Sequence, residues 1–133
     1  MVKVRGTALR EIIFADCKIL GVRFDECNAF GFSAQFVRNQ LDHASFFQLK
    51  MNGTIFSHCR LRETDFTETE LNGAVFEACD LEGAVFDHTQ LQKADFRSAH
   101  GFVIDPETND IRKAKFSPQG LIGLLHKYGI EVL

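Results

Sequence analysis

Large apolar residues recur at every fifth position from Phe36 to Phe96 without a miss: Phe36, Leu41, Phe46, Met51, Phe56, Leu61, Phe66, Leu71, Phe76, Leu81, Phe86, Leu91 and Phe96. Two residues before each stands a second, mostly small series: Ala34, Asn39, Ala44, Leu49, Thr54, Cys59, Thr64, Thr69, Ala74, Cys79, Ala84, Thr89 and Ala94. A helix repeats about every 3.6 residues and a flat strand about every 2, so neither keeps such a series on one face. The backbone has to turn a corner every five residues, and the pattern predicts a solenoid. A wide central side chain and a small flanking one point inward from each unit.

The units Ala74-Val75-Phe76-Glu77-Ala78, Cys79-Asp80-Leu81-Glu82-Gly83 and Ala94-Asp95-Phe96-Arg97-Ser98 resemble the A(D/N)LXX pattern of pentapeptide-repeat proteins. The resemblance implies an all-β solenoid, a right-handed quadrilateral parallel β-helix with four five-residue sides per coil. Residues twenty apart then stack at about 4.8 Å. On that geometry Phe36, Phe56, Phe76 and Phe96 share one column and Phe46, Phe66 and Phe86 the opposite one. Leu41, Leu61, Leu81 and Met51, Leu71, Leu91 fill the other two. Rings stack on rings and aliphatic chains on aliphatic chains, so the phenylalanines read as core rather than as a ligand platform.

An earlier stretch runs in another register, with Leu9, Phe14, Ile19, Phe24 and Ala29 as centres and Thr7, Ile12, Cys17, Val22 and Cys27 before them. Phe24 to Phe36 is two residues longer than two units, which places an outward bulge near 25–35, with Phe30 an alternative to Ala29 in the core. The favoured reading of Phe30 and Phe32 is a register slip whose aromatics tuck back; the other is a contact loop that exposes them. After Phe102 the repeat lapses, so residues 1–103 form the predicted β-helix and 104–133 a capping and dimerisation segment. Glu107 to Asp110 reads as a turn, and Ala114-Lys115-Phe116 as one more unit. Ser117 as N-cap, Pro118 at the first position, Leu121, Leu124, Leu125 and Tyr128 at helical spacing, and Gly129 as a stop predict an α-helix over about 118–128. Ile130 to Leu133 reads as a short strand.

Composition excludes more than it selects. The chain has 133 residues, 45% apolar and 25% charged, with a net charge of −3, which suits one globular unit. Its start lacks the apolar run of a signal peptide or membrane span, so a soluble, cytoplasmic protein is the expectation. The repeats begin almost at once, as in a short family member or the C-terminal part of a longer protein. All four cysteines occupy small inward positions and read as packing. His43, His58 and His88 point outward on three different sides and cannot share a metal ion. No nucleophile elbow, phosphate loop or metal pair occurs, so no enzyme, cofactor or metal site is expected.

Charge is the sharper signal. Between Arg62 and Lys93 lie Glu63, Asp65, Glu68, Glu70, Glu77, Asp80, Glu82 and Asp87, with no Lys or Arg. Twenty-residue stacking sets Arg60 beside Asp80, Arg62 between Asp42 and Glu82, Arg97 beside Glu77 and His88 beside Glu68. Much of the belt is thereby neutralised, and Asp65 and Asp87 are left unpaired; Asp65, Glu68, Glu70 and Asp87, with Phe30 and Phe32, are the candidate partner-binding residues. Lys93, Arg97, Arg112, Lys113 and Lys115 gather near one end without an aromatic platform, so direct nucleic-acid binding is not expected.

The tail is similar to the C-terminal module of the Qnr-type quinolone-resistance pentapeptide proteins, on Leu124, Leu125, Gly129, Ile130 and Val132. That resemblance implies a homodimer, with Leu121, Ile122, Leu124, Leu125, Tyr128, Ile130 and Val132 as candidate interface residues. Leu121 and Leu125 are assigned to the coil, and Ile122, Leu124 or Tyr128 to the partner. The leading expectation is a dimeric, non-catalytic protein-binding scaffold. The alternative, implied by the resemblance to the Qnr and MfpA-like group, is a DNA gyrase or topoisomerase modulator acting as a duplex mimic. The uninterrupted repeat from 34 to 98 lacks the projecting loops of well-studied members of that group.

Overall fold

The computed structural model describes residues 12–26 and 34–133. Four short parallel strands, β1 (Ile12–Ala15), β2 (Ala34–Val37), β3 (Ile55–Ser57) and β4 (Val75–Glu77), pair in chain order. Phe36 pairs with Phe56 and Phe56 with Phe76, an advance of twenty residues per coil. Bridges from Gln40 to Arg60, Ser45 to Asp65 and Lys50 to Glu70 repeat that advance on the other sides. Four five-residue steps therefore complete one coil of a parallel β-helix. The ladder continues from Gln90 to Asp110 and from Asp95 to Lys115.

Each corner is a tight turn. The Leu41 carbonyl accepts the Ala44 N–H at 3.1 Å, and the Leu71 carbonyl that of Ala74 at 3.1 Å. The third residue of these turns has a positive φ, 62° at His43 and 73° at Gly73, as a type II turn requires. Glycine is comfortable there, and elsewhere the backbone hydrogen bonds between coils hold Glu63, Glu68 and His88 in the same conformation.

The core explains why phenylalanine alternates with leucine. Phe14, Phe36, Phe56, Phe76, Phe96 and Phe116 form one stack, with centroids 4.8 to 5.3 Å apart. Phe24, Phe46, Phe66 and Phe86 form the second. The stacks come from opposite sides and meet edge to face at 5.7 to 6.3 Å, the geometry that aromatic quadrupoles favour. Buried Leu41, Leu61, Leu81 and Met51, Leu71, Leu91 close the flanks.

The small series has a second role that the spacing alone does not reveal. Many units on the two sides that follow the phenylalanine columns carry a side-chain donor aimed back at the Phe carbonyl of the preceding coil. Asn39 Nδ2 donates to Phe14, Cys59 Sγ to Phe36, Cys79 Sγ to Phe56, Thr69 Oγ1 to Phe46, Thr89 Oγ1 to Phe66 and Asn109 Nδ2 to Phe86, at 2.7 to 3.3 Å. The cysteines are thus core donors; the Cys59 thiol and burial push the Cys79 thiol well above its usual range. Thr89→Val keeps the volume but removes a 2.7 Å bond inside the core. A loss of about 1–2 kcal/mol in urea unfolding is expected, and an unchanged midpoint would contradict the role.

The first described coil is longer than the rest. Phe14 pairs with Phe36, Ile12 with Ala34, and Cys17 bonds Asn39 across 22 positions, two more than in later coils. The excess falls between Phe24 and Phe36, as the sequence spacing requires. Phe30 and Phe32, with Thr7, Leu9, Cys27 and Ala29, lie outside the described residues.

The C-terminal segment departs from expectation. In place of an α-helix over 118–128 there are two 3-10 helices, Pro118–Leu124 and His126–Tyr128, and Ile130 to Leu133 forms no strand. The N-cap and the stop hold: Ser117 Oγ accepts the Gly120 N–H at 3.2 Å, and Gly129 ends the run at φ 62°. The difference lies in Gly120 and Gly123, weak α-helix formers that eclipse one another at about three residues per turn. Both rest on Phe102: a Cβ on Gly123 would overlap the Phe102 carbonyl oxygen and come within 2.9 Å of its ring. The Ile104 N–H donates to the Gly123 carbonyl at 3.0 Å, closing the cap over buried Phe102 and Ile104.

Candidate interaction surfaces

Charges on the outer faces divide into a paired side and an unpaired one. On the Leu41, Leu61, Leu81 side, Arg60 Nε lies 2.7 Å from Asp42, Arg62 Nε 2.6 Å from Asp80, and Arg62 3.5 Å from Glu82. His43 lies 3.1 Å from Glu63. The pairing differs from simple vertical stacking, because an arginine reaches diagonally: Arg60 takes Asp42 rather than Asp80. Arg97 takes Asp95 of its own coil rather than Glu77, and His88 takes neighbouring Asp87 rather than Glu68.

These contacts hold several carboxylates below their usual range. For Asp80, burial alone would raise the pKa, and the hydrogen bonds from Arg62 and the Glu82 N–H overcome it. Arg97 lowers Asp95, and Arg112 with Gln92 lowers Asp110. A carboxylate whose folded pKa lies below its unfolded value of about 3.9 adds stability above that value and loses it as pH falls through the folded pKa. Stability to urea should therefore be flat from pH 7 to about 5 and decline below about 4. A decline that begins near pH 6 would contradict the paired carboxylates as its source.

The opposite corner keeps its charge. Asp65 accepts the Thr67 N–H at 2.9 Å, Glu68 the Gln48 amide at 3.2 Å, and Glu70 the Asn52 amide at 3.3 Å. Asp87 faces His88 at 2.9 Å. Among the described residues none of the four has Lys or Arg within ion-pairing distance; Arg23, nearby, is held by Asp25 at 2.7 Å. Asp65, Glu68, Glu70 and Asp87 lie on neighbouring sides of adjacent coils, so the structure brings these four together.

The capped end is apolar. Ile122, Tyr128, Ile130 and Val132 are 52%, 56%, 51% and 62% exposed, and Leu121 and Leu125 are also exposed. Leu124 instead packs against the core. The expected assignment of Leu121 and Leu125 to the coil is thus reversed, because a three-residue turn rotates each position relative to a 3.6-residue one. Lys127 pins the cap from outside, with Nζ 2.7 Å from Glu107 and 3.1 Å from Asp105, which raises its own pKa. Sequence reasoning missed Lys127 and Phe102, whose partners lie about twenty residues away with no repeat to reveal them.

No curated protein matches the chain in sequence. Among solved structures, a trypsin-treated QnrB1 variant, a plasmid-mediated fluoroquinolone resistance protein, aligns with a TM-score of 0.55 at 22% identity. That alignment covers 100% of this chain and 64% of QnrB1, so the chain spans less than two thirds of that protein. A pentapeptide repeat protein from the Arabidopsis thaliana thylakoid lumen aligns with a TM-score of 0.59 at 22% identity, over 92% of this chain and 90% of its own. Residues 32–96 match the family model described as a pentapeptide repeat region. With its five-residue period, twenty-residue coil and paired phenylalanine stacks, the chain carries a pentapeptide repeat region over residues 32–96 and is similar in fold to pentapeptide-repeat proteins.

Proposed function

We propose that the chain is a non-catalytic, dimeric protein-binding scaffold, a right-handed, four-sided rod joined to a second copy through its capped end. Its partner protein is met along the coil sides, in the cytoplasm, without cofactor, membrane or direct nucleic-acid contact. The exposed apolar end carries this reading: Leu121, Ile122, Leu125, Tyr128, Ile130 and Val132 gather on a short segment while the coil sides are largely polar. Apolar surface of this kind marks an interaction site, and a second copy covers it by two-fold symmetry. Catalysis finds little support, since the outward carboxylates sit on open faces or in ion pairs.

Ile122→Asp and Tyr128→Asp change exposed positions and should halve the mass seen by light scattering while leaving the circular dichroism spectrum of the parent unchanged. An unchanged mass in both would sink the interface. Leu124→Asp is a poorer probe, because Leu124 packs on the core and its loss also loosens the cap.

A second reading rests on the unpaired corner. Asp65, Glu68, Glu70 and Asp87 offer anionic charge at a few-ångström spacing to a basic groove, which suits a DNA gyrase or topoisomerase modulator acting as a duplex mimic. The fold shared with the fluoroquinolone resistance protein QnrB1 is compatible with it. Gyrase supercoiling with and without ciprofloxacin, titrated with this protein, separates the two. Protection or inhibition that Asp65→Asn/Glu70→Gln removes favours the modulator; no effect favours a scaffold for another protein.

A further inference from the structure

One side of the last coil ends in an open backbone edge. A coil earlier, the Thr89 carbonyl accepts the Asp110 N–H at 3.1 Å, and the N–H groups of Leu91 and Lys93 donate to the Asp110 and Arg112 carbonyls at 2.8 and 3.0 Å. The equivalents in the last coil are the Asn109 carbonyl and the N–H groups of Ile111 and Lys113. Among the described residues none of these three groups has a hydrogen-bond partner. Ile111 also ends the column of Met51, Leu71 and Leu91; those three are buried and Ile111 only half so. An open groove of about 590 Å³ runs beside it, with Gln90, Asn109, Ile111 and Arg112 in its lining.

The charge at this edge has one sign. Arg112 and Arg97 are taken by Asp110 and Asp95 at 2.8 and 2.9 Å. Lys93, Lys113 and Lys115 are exposed, and among the described residues none has a carboxylate within ion-pairing distance. Lys93 and Lys113 stand at the same corner one coil apart, with φ of 61° and 62°. Like charges stacked in this way repel, so the corner calls for an anion. Lysines on an open edge also discourage indiscriminate strand pairing, which restricts the edge to an acidic partner. The order of acceptor, donor, donor along Asn109, Ile111 and Lys113 is the one that a parallel strand answers with its own N–H and carbonyl groups. A phosphate backbone offers acceptors alone and leaves the Asn109 carbonyl without a donor.

We propose that this edge binds an extended acidic segment of another protein as an added parallel β-strand. The segment's first residue lies over Asp110, gives its N–H to Asn109 and takes the Ile111 N–H on its carbonyl. The next residue is apolar and covers the half-buried Ile111. The two after it are acidic: the backbone carbonyl of the first takes the Lys113 N–H, and the two carboxylates meet Lys93, Lys113 and Lys115. Main-chain bonds thus supply affinity, and the apolar and acidic side chains supply specificity. The edge shares no residue with the exposed cap, so it adds a second contact to the scaffold and stands without the dimer.

The test titrates the full chain with a capped synthetic peptide, Ser-Val-Glu-Glu-Val-Ser, and follows backbone amides by nuclear magnetic resonance. Shifts centred on residues 109–115 are expected, with exchange of the Ile111 and Lys113 amides slowed at least about tenfold at saturation. Lys113→Glu/Lys115→Glu should weaken the peptide at least about tenfold, and Ser-Val-Lys-Lys-Val-Ser should bind that variant instead. Methylation of the first serine amide, which removes the donor to Asn109, should also weaken binding. Equal binding of the methylated peptide, or of a thymidine dodecanucleotide at the same residues, would show charge attraction alone and overturn the added strand. Absence of shifts at millimolar peptide overturns it as well. So do Ile111 and Lys113 amides that already exchange slowly in the free protein, since the edge is then covered without a partner.

Discussion

Phe66→Ala is expected to lower the stability of the fold by about 3–5 kcal/mol, the cost of removing a buried aromatic side chain and leaving a cavity. Phe66 is fully buried, stacked on Phe46 at 5.3 Å and on Phe86 at 5.1 Å, with Phe56 and Phe76 edge-on at 6.0 and 5.9 Å. Neighbours in a solenoid are fixed by the backbone ladder, so they cannot close over the gap. Loss at the middle of the stack also separates the coils on either side, since each coil contacts only those next to it. Phe116→Ala, at the open end of the other stack, removes fewer contacts and should cost clearly less. Urea unfolding of the two variants measures the difference, and equal losses would contradict a continuous stack as the main source of stability.

Gly123→Ala is expected to be the most damaging glycine-to-alanine change among the described residues. The new Cβ meets the Phe102 carbonyl oxygen, a backbone atom that cannot swing aside, as well as the ring. The cap must lift, which breaks the 3.0 Å bond from the Ile104 N–H to the Gly123 carbonyl. Overpacking of this kind costs about 1–3 kcal/mol, and the Ile104 amide should lose most of its protection from hydrogen exchange. Gly120→Ala is the control, because there the nearest atom is the far edge of the Phe102 ring, at 3.0 Å. Truncating that ring in Phe102→Ala should relieve Gly120→Ala and not Gly123→Ala. Unaltered Ile104 protection in Gly123→Ala would show that the cap is not seated on Phe102.

The two outcomes differ in how far the sequence foretells them. Phe66 is legible because a strict period of five leaves no other face for it, and the column it shares with Phe46 and Phe86 follows from counting by twenties. Even the two-residue excess between Phe24 and Phe36 is visible by counting, and Phe14 still meets Phe36. The cap is not legible in that way. Leu121, Leu124, Leu125 and Tyr128 fit an α-helix by spacing, but Gly120 and Gly123 let the chain tighten to three residues per turn against Phe102. That contact has no periodic signature, and the tightening reverses which leucine faces the coil. Charge pairing fails for a related reason: arginine is long enough to reach diagonally, so Arg60 finds Asp42 when column counting pairs it with Asp80. Counting isolates Asp65 and Asp87, whereas the structure gives His88 to Asp87 and so leaves Glu68, with Asp65 and Glu70, without the partner that counting assigned to it.

Light scattering of the parent protein across a range of concentrations tests the account most directly, because the proposed scaffold pairs two copies through the exposed apolar cap. A mass of twice the 15.0 kDa chain that falls toward a single chain only on dilution is the result predicted here. A mass of one chain at every concentration would contradict the dimeric scaffold and leave the exposed cap residues without a role.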